Sequence, residues 1–300
     1  MATINDLRRY FTDGVIQRPD RTWGVEIETF IMKRSGVPAD ADDCQAVFKQ
    51  LERLGWTLRY EDGWIHSAQF DDGSVFLLEQ GYHCIELASS VTNADSLIWS
   101  TKMHLGYLYQ ALEACELMAM QQPVIEWEGN LLAPEDTRSA MWLELDGVES
   151  GNIPPRTASV QFTFAVRPEL SIVRLNQLNA RRGDFLRDYL QDALWHEHMA
   201  TSHAGYRHDR YGGPGYFCDL EHYIQSLADH DAIDCNALIP YAEADLSTNE
   251  QAHYFIKSIW WYFRLKRYGD VLCIEVRPLP RRSDDCLDDQ LALVQKIVSQ

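Results

Sequence analysis

The chain has 300 residues, 46% of them apolar, which is enough to bury a large core, and no run approaches the roughly 18 apolar residues that a membrane helix requires. Its 45 acidic residues outnumber 27 basic ones, and the resulting formal charge of -18 repels nucleic acid phosphates, which argues against a nucleic acid partner. Seven cysteines, odd in number, scattered and never in Cys-x-x-Cys spacing, read as reduced thiols with no zinc site or disulfide framework. The polar N-terminal stretch carries no apolar signal segment, so a cytoplasmic protein is expected.

In chain order, alternation of polar and apolar residues predicts a strand over Thr22–Met32, and a stripe of Val47, Leu51 and Leu54 predicts a helix over Asp42–Leu54. Ser74–Glu79 and His83–Ala88 read as two strands joined through a hairpin turn at Gln80–Tyr82. Helical periodicity then covers Ala94–Met118, Pro168–Leu194, Asp219–Ala228, Asn249–Leu265 and Cys286–Val298, with further strands at Ala158–Val166 and Val271–Pro278. The aperiodic segment Gln122–Pro155 and the charged, glycine-rich loop Arg207–Gly215 are candidate excursions over a site. No repeat or linker divides the chain. The expectation is one α+β domain over residues 1–300, with a curved, mainly antiparallel sheet and helices packed on one face.

These strands share a pattern. Residues two apart on a strand face the same side, so Glu26 and Glu28 stand together while Val25 and Ile27 face the core. Taken alone, that pair reads as a solvated strand edge. Glu79 and Glu86 sit on the two arms of the hairpin, Ser159, Gln161 and Thr163 share the polar side of another strand, and Glu275 and Arg277 share that of the last. Carboxylates converging without basic partners suit a hard divalent cation such as Mg2+, which bridges nucleotide phosphates, and Arg277 is placed to stabilise charge on a transferred phosphoryl group.

At the same residues the sequence resembles the glutamate-cysteine ligase superfamily, whose catalytic sheet is related to that of glutamine synthetase and the guanidino kinases. Gly24–Glu28 is similar to the family's opening Gly-x-Glu-x-Glu strand, and Leu78–Gly81 with Ile85–Leu87 to its Leu-Glu-Pro-Gly-Gly-x-x-Glu-Leu hairpin. Thr157–Phe162 resembles a strand that carries Val-Gln or a metal-binding His, and Ile259–Arg264, Tyr268–Gly269 and Ile274–Arg277 resemble the Ile-Trp-Trp-x-x-Arg and Glu-Val-Arg signature of type 2 carboxylate-amine ligases. The resemblance implies ATP- and Mg2+-dependent activation of a carboxylate, usually of glutamate, as an acyl phosphate that an amine, usually of cysteine, attacks. It implies Glu26, Glu28, Glu79, Glu86, Gln161 and Glu275 as metal ligands, Arg277 on the transferred phosphate and Arg264 on phosphate or substrate. The sequence departs from the family with Gln80 and Tyr82 in the hairpin and Pro278–Arg282 after Glu-Val-Arg, which leaves the acid and amine open.

Arg207 and Arg210 of the glycine-rich loop, together with Arg156, are candidate substrate-binding residues, because a loop with two arginines can close over an anion. His196-Glu197-His198 lacks the His-x-x-x-His spacing of a helical metal site. Trp260 and Trp261 are candidates to stack on adenine, with core packing the leading alternative for at least one. Cys84 and Cys273 read as packing residues, and His83 as structural beside the metals. A phosphotransferase and a nucleotide- or amino-acid-binding pseudoenzyme are the rival readings, and a homodimer is the commonest default assembly.

Overall fold

The computed structural model describes residues 3–16, 22–61, 63–79, 81–131, 153–189, 210–230 and 248–299. Its strands are β1 (Trp23–Lys33), β2 (Thr57–Glu61), β3 (Trp64–Gln69), β4 (Val75–Leu78), β5 (Cys84–Ala88), β6 (Leu117–Met120), β7 (Ser159–Ala165), β8 (Tyr211–Gly212), β9 (Trp260–Trp261), β10 (Phe263–Tyr268) and β11 (Val271–Pro280). Eight α-helices accompany them among the described residues: α1 (Ile4–Thr12), α2 (Ala41–Arg53), α3 (Ala94–Ala114), α4 (Ser171–Ala180), α5 (Arg182–Tyr189), α6 (Leu220–Ala228), α7 (Thr248–Lys257) and α8 (Leu287–Val298).

The nine-stranded sheet runs β10-β11-β7-β1-β5-β4-β3-β2, with β6 paired to the far end of β1, and every pairing in it is antiparallel. It is an α+β fold with an open sheet, as the alternating strands predict. Val25 and Ile27, Ile85 and Leu87, Val160 and Phe162, and Ile274 and Val276 point to one face and join Leu97, Leu105 and Leu108 of α3 in one continuous apolar core. The opposite face carries the polar residues of the same strands. Burial of several dozen apolar side chains on one side therefore fixes which side faces the chemistry, because a one-residue slip of any strand would invert its pattern.

Helix starts follow their caps. Asp40 and Asp43 form a reciprocal capping box at α2, Asn93 caps α3 and Asp219 caps α6. The outer edge of β10 is closed by side chains: Tyr223 and Tyr10 accept from the backbone amides of Leu265 and Arg267, each at 2.9 Å.

Three predicted helices are corrected. The helix over Ala94–Met118 stops at Ala114, where Glu116 adopts a left-handed φ of 58° and turns the chain into β6. Pro168–Leu194 opens with a single 3-10 turn and breaks at Arg181 into α4 and α5, and its last residues lie outside the described ones. Asn249–Leu265 ends at Lys257, and the run Ile259–Phe263 that follows is β-branched and aromatic; from Phe263 the period is two, not 3.6. Trp260 and Trp261 are therefore strand residues. Trp261 is buried and stacks on Phe217 at 5.6 Å, as the core alternative expects.

Candidate active site

The polar face holds two opposite charge groups. On one side, Glu28 of β1 lies directly across from Glu86 of β5, and Glu79 reaches in from the end of β4, whose strand is aligned by Leu77 opposite Glu86. One ligand oxygen from each of these three glutamates falls within 4.8 Å of the others. The hairpin that joins β4 to β5 is tight because Gly81 takes a φ of +127°, and a Cβ there would come 2.3 Å from the Leu131 carbonyl oxygen. Only glycine permits that approach, and it brings Glu79 and Glu86 onto neighbouring arms of one turn.

Glu28 is held from the β7 side. Ser159 donates its backbone amide to Oε2 at 2.7 Å, and Gln161 donates Nε2 to Oε1 at 3.2 Å and to the Ser159 hydroxyl at 3.1 Å. Gln161 is opposite Glu26 in register, so its side chain reaches Glu28 along the diagonal. Burial, then the neighbouring Glu79 carboxylate, push the Glu28 carboxyl up to about 8, against the Ser159 amide and the positive charge of Arg277. A divalent cation among these oxygens would reverse that cost. The donor set fits one: three carboxylates are hard oxygen ligands, and the Gln161 carbonyl oxygen is buried beside Glu28 with no hydrogen-bond partner.

On the other side, Glu275 of β11 is fully buried within three cations. Arg264 Nη2 lies 2.5 Å and Nε 2.8 Å from its Oε2, Arg277 Nη1 lies 3.0 Å from the same oxygen, and Lys266 Nζ is 2.9 Å from Oε1. Burial pushes this carboxyl up, but Arg264, Lys266 and Arg277 overcome it and hold it well below the usual range. Glu275, expected from the sequence as a metal ligand, lies apart from the Glu28–Glu79–Glu86 cluster, with its oxygens engaged by three positive groups. Glu26 shares the face of Glu28 and acts electrostatically on Lys266 and Arg277 without joining the triad.

Arg264 also takes a different place from the one expected. Its remaining donors go to the carbonyls of Ile256 and Ile259, at 2.8 and 2.9 Å, and it is buried. It ties the end of α7 to β10, which leaves Arg277 as the one partly exposed guanidinium of this group. Arg277 lies at a bulge: the β11–β7 register shifts between Val276 and Leu279, where Pro278 has no amide to donate, while on the β10 side Arg277 donates its amide to the Tyr262 carbonyl at 2.9 Å.

Of the expected substrate-binding arginines, Arg207 lies outside the described residues. Arg210 is almost fully buried and donates to the Ser258 hydroxyl at 3.2 Å, which places it beneath the surface and not on a closing arm. The loop after it is docked: Gly212 and Gly213 adopt φ of +81° and +77°, and a Cβ on Gly213 would meet the Trp261 ring at 2.5 Å. Arg156 sits in the 3-10 turn that leads into β7, with Nε buried and without a partner. His196-Glu197-His198 is also outside the described residues.

His83 has the structural role expected. It is buried, stacks on Phe30 and shares a 2.6 Å hydrogen bond with the Pro155 carbonyl oxygen, joining the hairpin turn to the turn before β7; burial pushes its pKa down to about 4. Burial also raises the Cys84 and Cys273 thiols, the latter to about 12, which suits packing and not nucleophilic chemistry. The residue that motif reading passed over is Lys266. The signal was the alternation Phe263-Arg264-Leu265-Lys266, which puts both cations on the polar face.

No protein-family model and no curated protein matches the sequence. Among solved structures, the glutamate-cysteine ligase of Francisella tularensis in complex with AMP has a TM-score of 0.52 at 10% identity, over 95% of this chain and 68% of that one. The chain has the fold of that ligase. A bifunctional glutathione synthetase from Pasteurella multocida has a TM-score of 0.51 at 11% identity, over 99% of this chain and 40% of its own, so this chain spans less than half the length of that protein. The glutamate-cysteine ligase fold thus extends over nearly the whole chain. No described helix is long and apolar enough to cross a membrane.

Proposed function

We propose that the chain is an ATP- and Mg2+-dependent carboxylate-amine ligase, which activates the carboxylate of glutamate or a related amino acid as an acyl phosphate and joins it to an amine, releasing ADP and phosphate. The observation that carries this reading is the convergence of Glu28, Glu79 and Glu86 within 4.8 Å on the sheet face that also bears Arg277. A phosphoryl transfer site needs cations on both ends of the moving group, and this face brings together three carboxylates suited to a divalent cation on one side and a guanidinium on the other.

Glu28, Glu79, Glu86 and the Gln161 carbonyl would hold Mg2+, which when bound neutralises phosphate charge and orients the terminal phosphoryl group. Arg277 contacts the transferred phosphate, held in direction by Glu275. Arg156, with an unsatisfied donor beside the start of β7, is the candidate for the substrate's carboxylate. The fold shared with the two ligases supports the reading. The substrates are argued from chemistry alone.

The test is to supply purified protein with ATP, Mg2+ and a panel of amino acids, singly and in pairs, and to follow nucleotide and condensed products by mass spectrometry. ADP and a condensed mass that appear only with both an acid and an amine support the ligase. ADP formed with one substrate alone, together with a stable phosphorylated product, overturns it in favour of a phosphotransferase.

A further inference from the structure

We infer that Arg281, buried behind the sheet, is a positioning residue for the Glu28 carboxylate. This rests on the reading of Glu28 as a cation ligand given above. Arg281 lies in the segment Pro278–Arg282, where the sequence departs from the family pattern, and has no measurable exposure.

Its hydrogen bonds reach both strands that define Glu28. The guanidinium Nε contacts the Thr29 hydroxyl at 3.4 Å, one residue along β1 from Glu28. Its backbone amide donates to the Ala158 carbonyl at 3.0 Å, one residue before Ser159, whose own amide donates to Glu28. The rest of the guanidinium is anchored away from the site: Nη1 donates to the Arg282 carbonyl, and Nη2 donates to Asp284 at 2.7 Å and to the Tyr109 hydroxyl at 3.2 Å. Tyr109 in turn donates to Asp284 at 2.6 Å and accepts from Gln121 at 2.7 Å, so α3 and the turn before α8 hold the arginine in one orientation.

A buried charge of this kind is costly unless fully paired, and Asp284 supplies the counter-charge. The arrangement also fixes β11 against β7 just past the bulge at Arg277, at Leu279 opposite Val160 and Pro280 opposite Ser159. Slippage at that point moves the Ser159 amide off Glu28. No atom of Arg281 touches a carboxylate of the triad, so its action is indirect, as that of groups which orient metal ligands from outside commonly is.

The experiment measures Mn2+ binding to the full chain by electron paramagnetic resonance, well below the melting temperature of each variant. Arg281→Lys keeps the charge but loses the fork, and Tyr109→Phe removes one hydroxyl from the anchor with little risk to folding. The expected result is a Kd raised about tenfold in Arg281→Lys and several-fold in Tyr109→Phe, with an altered Mn2+ line shape. Lys102→Met, which breaks the exposed Lys102–Asp288 pair between α3 and α8, leaves the Kd unchanged.

If both network variants lose thermal stability but keep a Kd within twofold of wild type, Arg281 is merely structural and the inference is overturned. Should Arg281→Lys fail to fold, Tyr109→Phe decides by the same criterion. Wild-type protein with no saturable Mn2+ binding overturns the cation site itself, and the positioning role with it.

Discussion

Ser159 donates its backbone amide to Glu28 at 2.7 Å, although the two residues lie 131 positions apart in the chain. The contact forms because β7 and β1 are paired with Gln161 opposite Glu26, and it gives one buried carboxylate oxygen a fixed direction. The other Glu28 oxygen faces Gln161. What this geometry predicts can be measured.

Glu28→Gln puts a neutral amide where burial and Glu79 force a carboxyl to take up a proton near neutral pH, so the metal-free protein should gain stability, by as much as a few kcal/mol given how far the Glu28 carboxyl is raised. The same change removes a cation ligand, and Mg2+-dependent product formation should fall at least about a hundredfold. Parallel denaturation and turnover assays check both halves; undiminished turnover would sink the metal-site assignment.

Gln161→Met is nearly isosteric and deletes a buried carbonyl that has no partner. Cation affinity should drop by about tenfold while the melting temperature changes little, since loss of an unsatisfied acceptor offsets loss of the bonds to Glu28 and Ser159. Calorimetric titration with Mg2+ or Mn2+ reads this directly.

The two arginines expected in catalysis should separate. Arg264→Met leaves Glu275 short of a partner in a fully buried cluster and should destabilise the fold by about 3–5 kcal/mol in urea denaturation. Arg277→Met, at the partly exposed end of the same cluster, should cost less stability yet abolish turnover. Equal effects of both on stability, with equal turnover, would contradict the division of labour proposed for them.

Burial keeps His83 neutral down to about pH 4 in the folded chain, against an ordinary value of 6.5. Between those values the unfolded state binds a proton that the native state refuses. Stability from neutral His83 is therefore complete above about pH 6.5 and is lost as the pH falls toward 4, by about 3 kcal/mol in the limit. In His83→Gln the fall in unfolding free energy from pH 7 to 4.5 should be shallower by up to one proton; curves parallel to wild type would show that His83 does not carry this dependence.

The sheet was legible in the sequence because its chemistry has period two: Val25 and Ile27 against Glu26 and Glu28, or Ile274 and Val276 against Glu275 and Arg277, fix a face as well as an element. The hairpin at Gly81 was legible for the same reason. Which charged residues on that face meet cations and which meet other carboxylates was not, since it depends on partners far off in sequence. Glu275 and Glu28 look alike in their strands, yet one meets Arg264 and Lys266 from β10 while the other meets Glu79 and Glu86. The strands β9 and β10 were hidden by an aromatic run that satisfies both periods, and β2 and β3 by weak alternation at a solvent-exposed margin.

The tyrosine hydroxyls that close β10 have a consequence for how the protein behaves in concentrated solution. A sheet recruits another chain only where consecutive amides and carbonyls are open, and on this side Tyr10 and Tyr223 occupy the amides of Arg267 and Leu265. Among the described strands the other margin is β2, five residues long, irregular between Arg59 and Tyr60, and charged at Arg59 and Glu61. One margin is plugged and the other is a poor template, so fibril growth from the folded state should require the loss of α1 or α6 first. Tyr10→Phe or Tyr223→Phe would strip one amide of its acceptor while the helix that carries the ring still covers the edge.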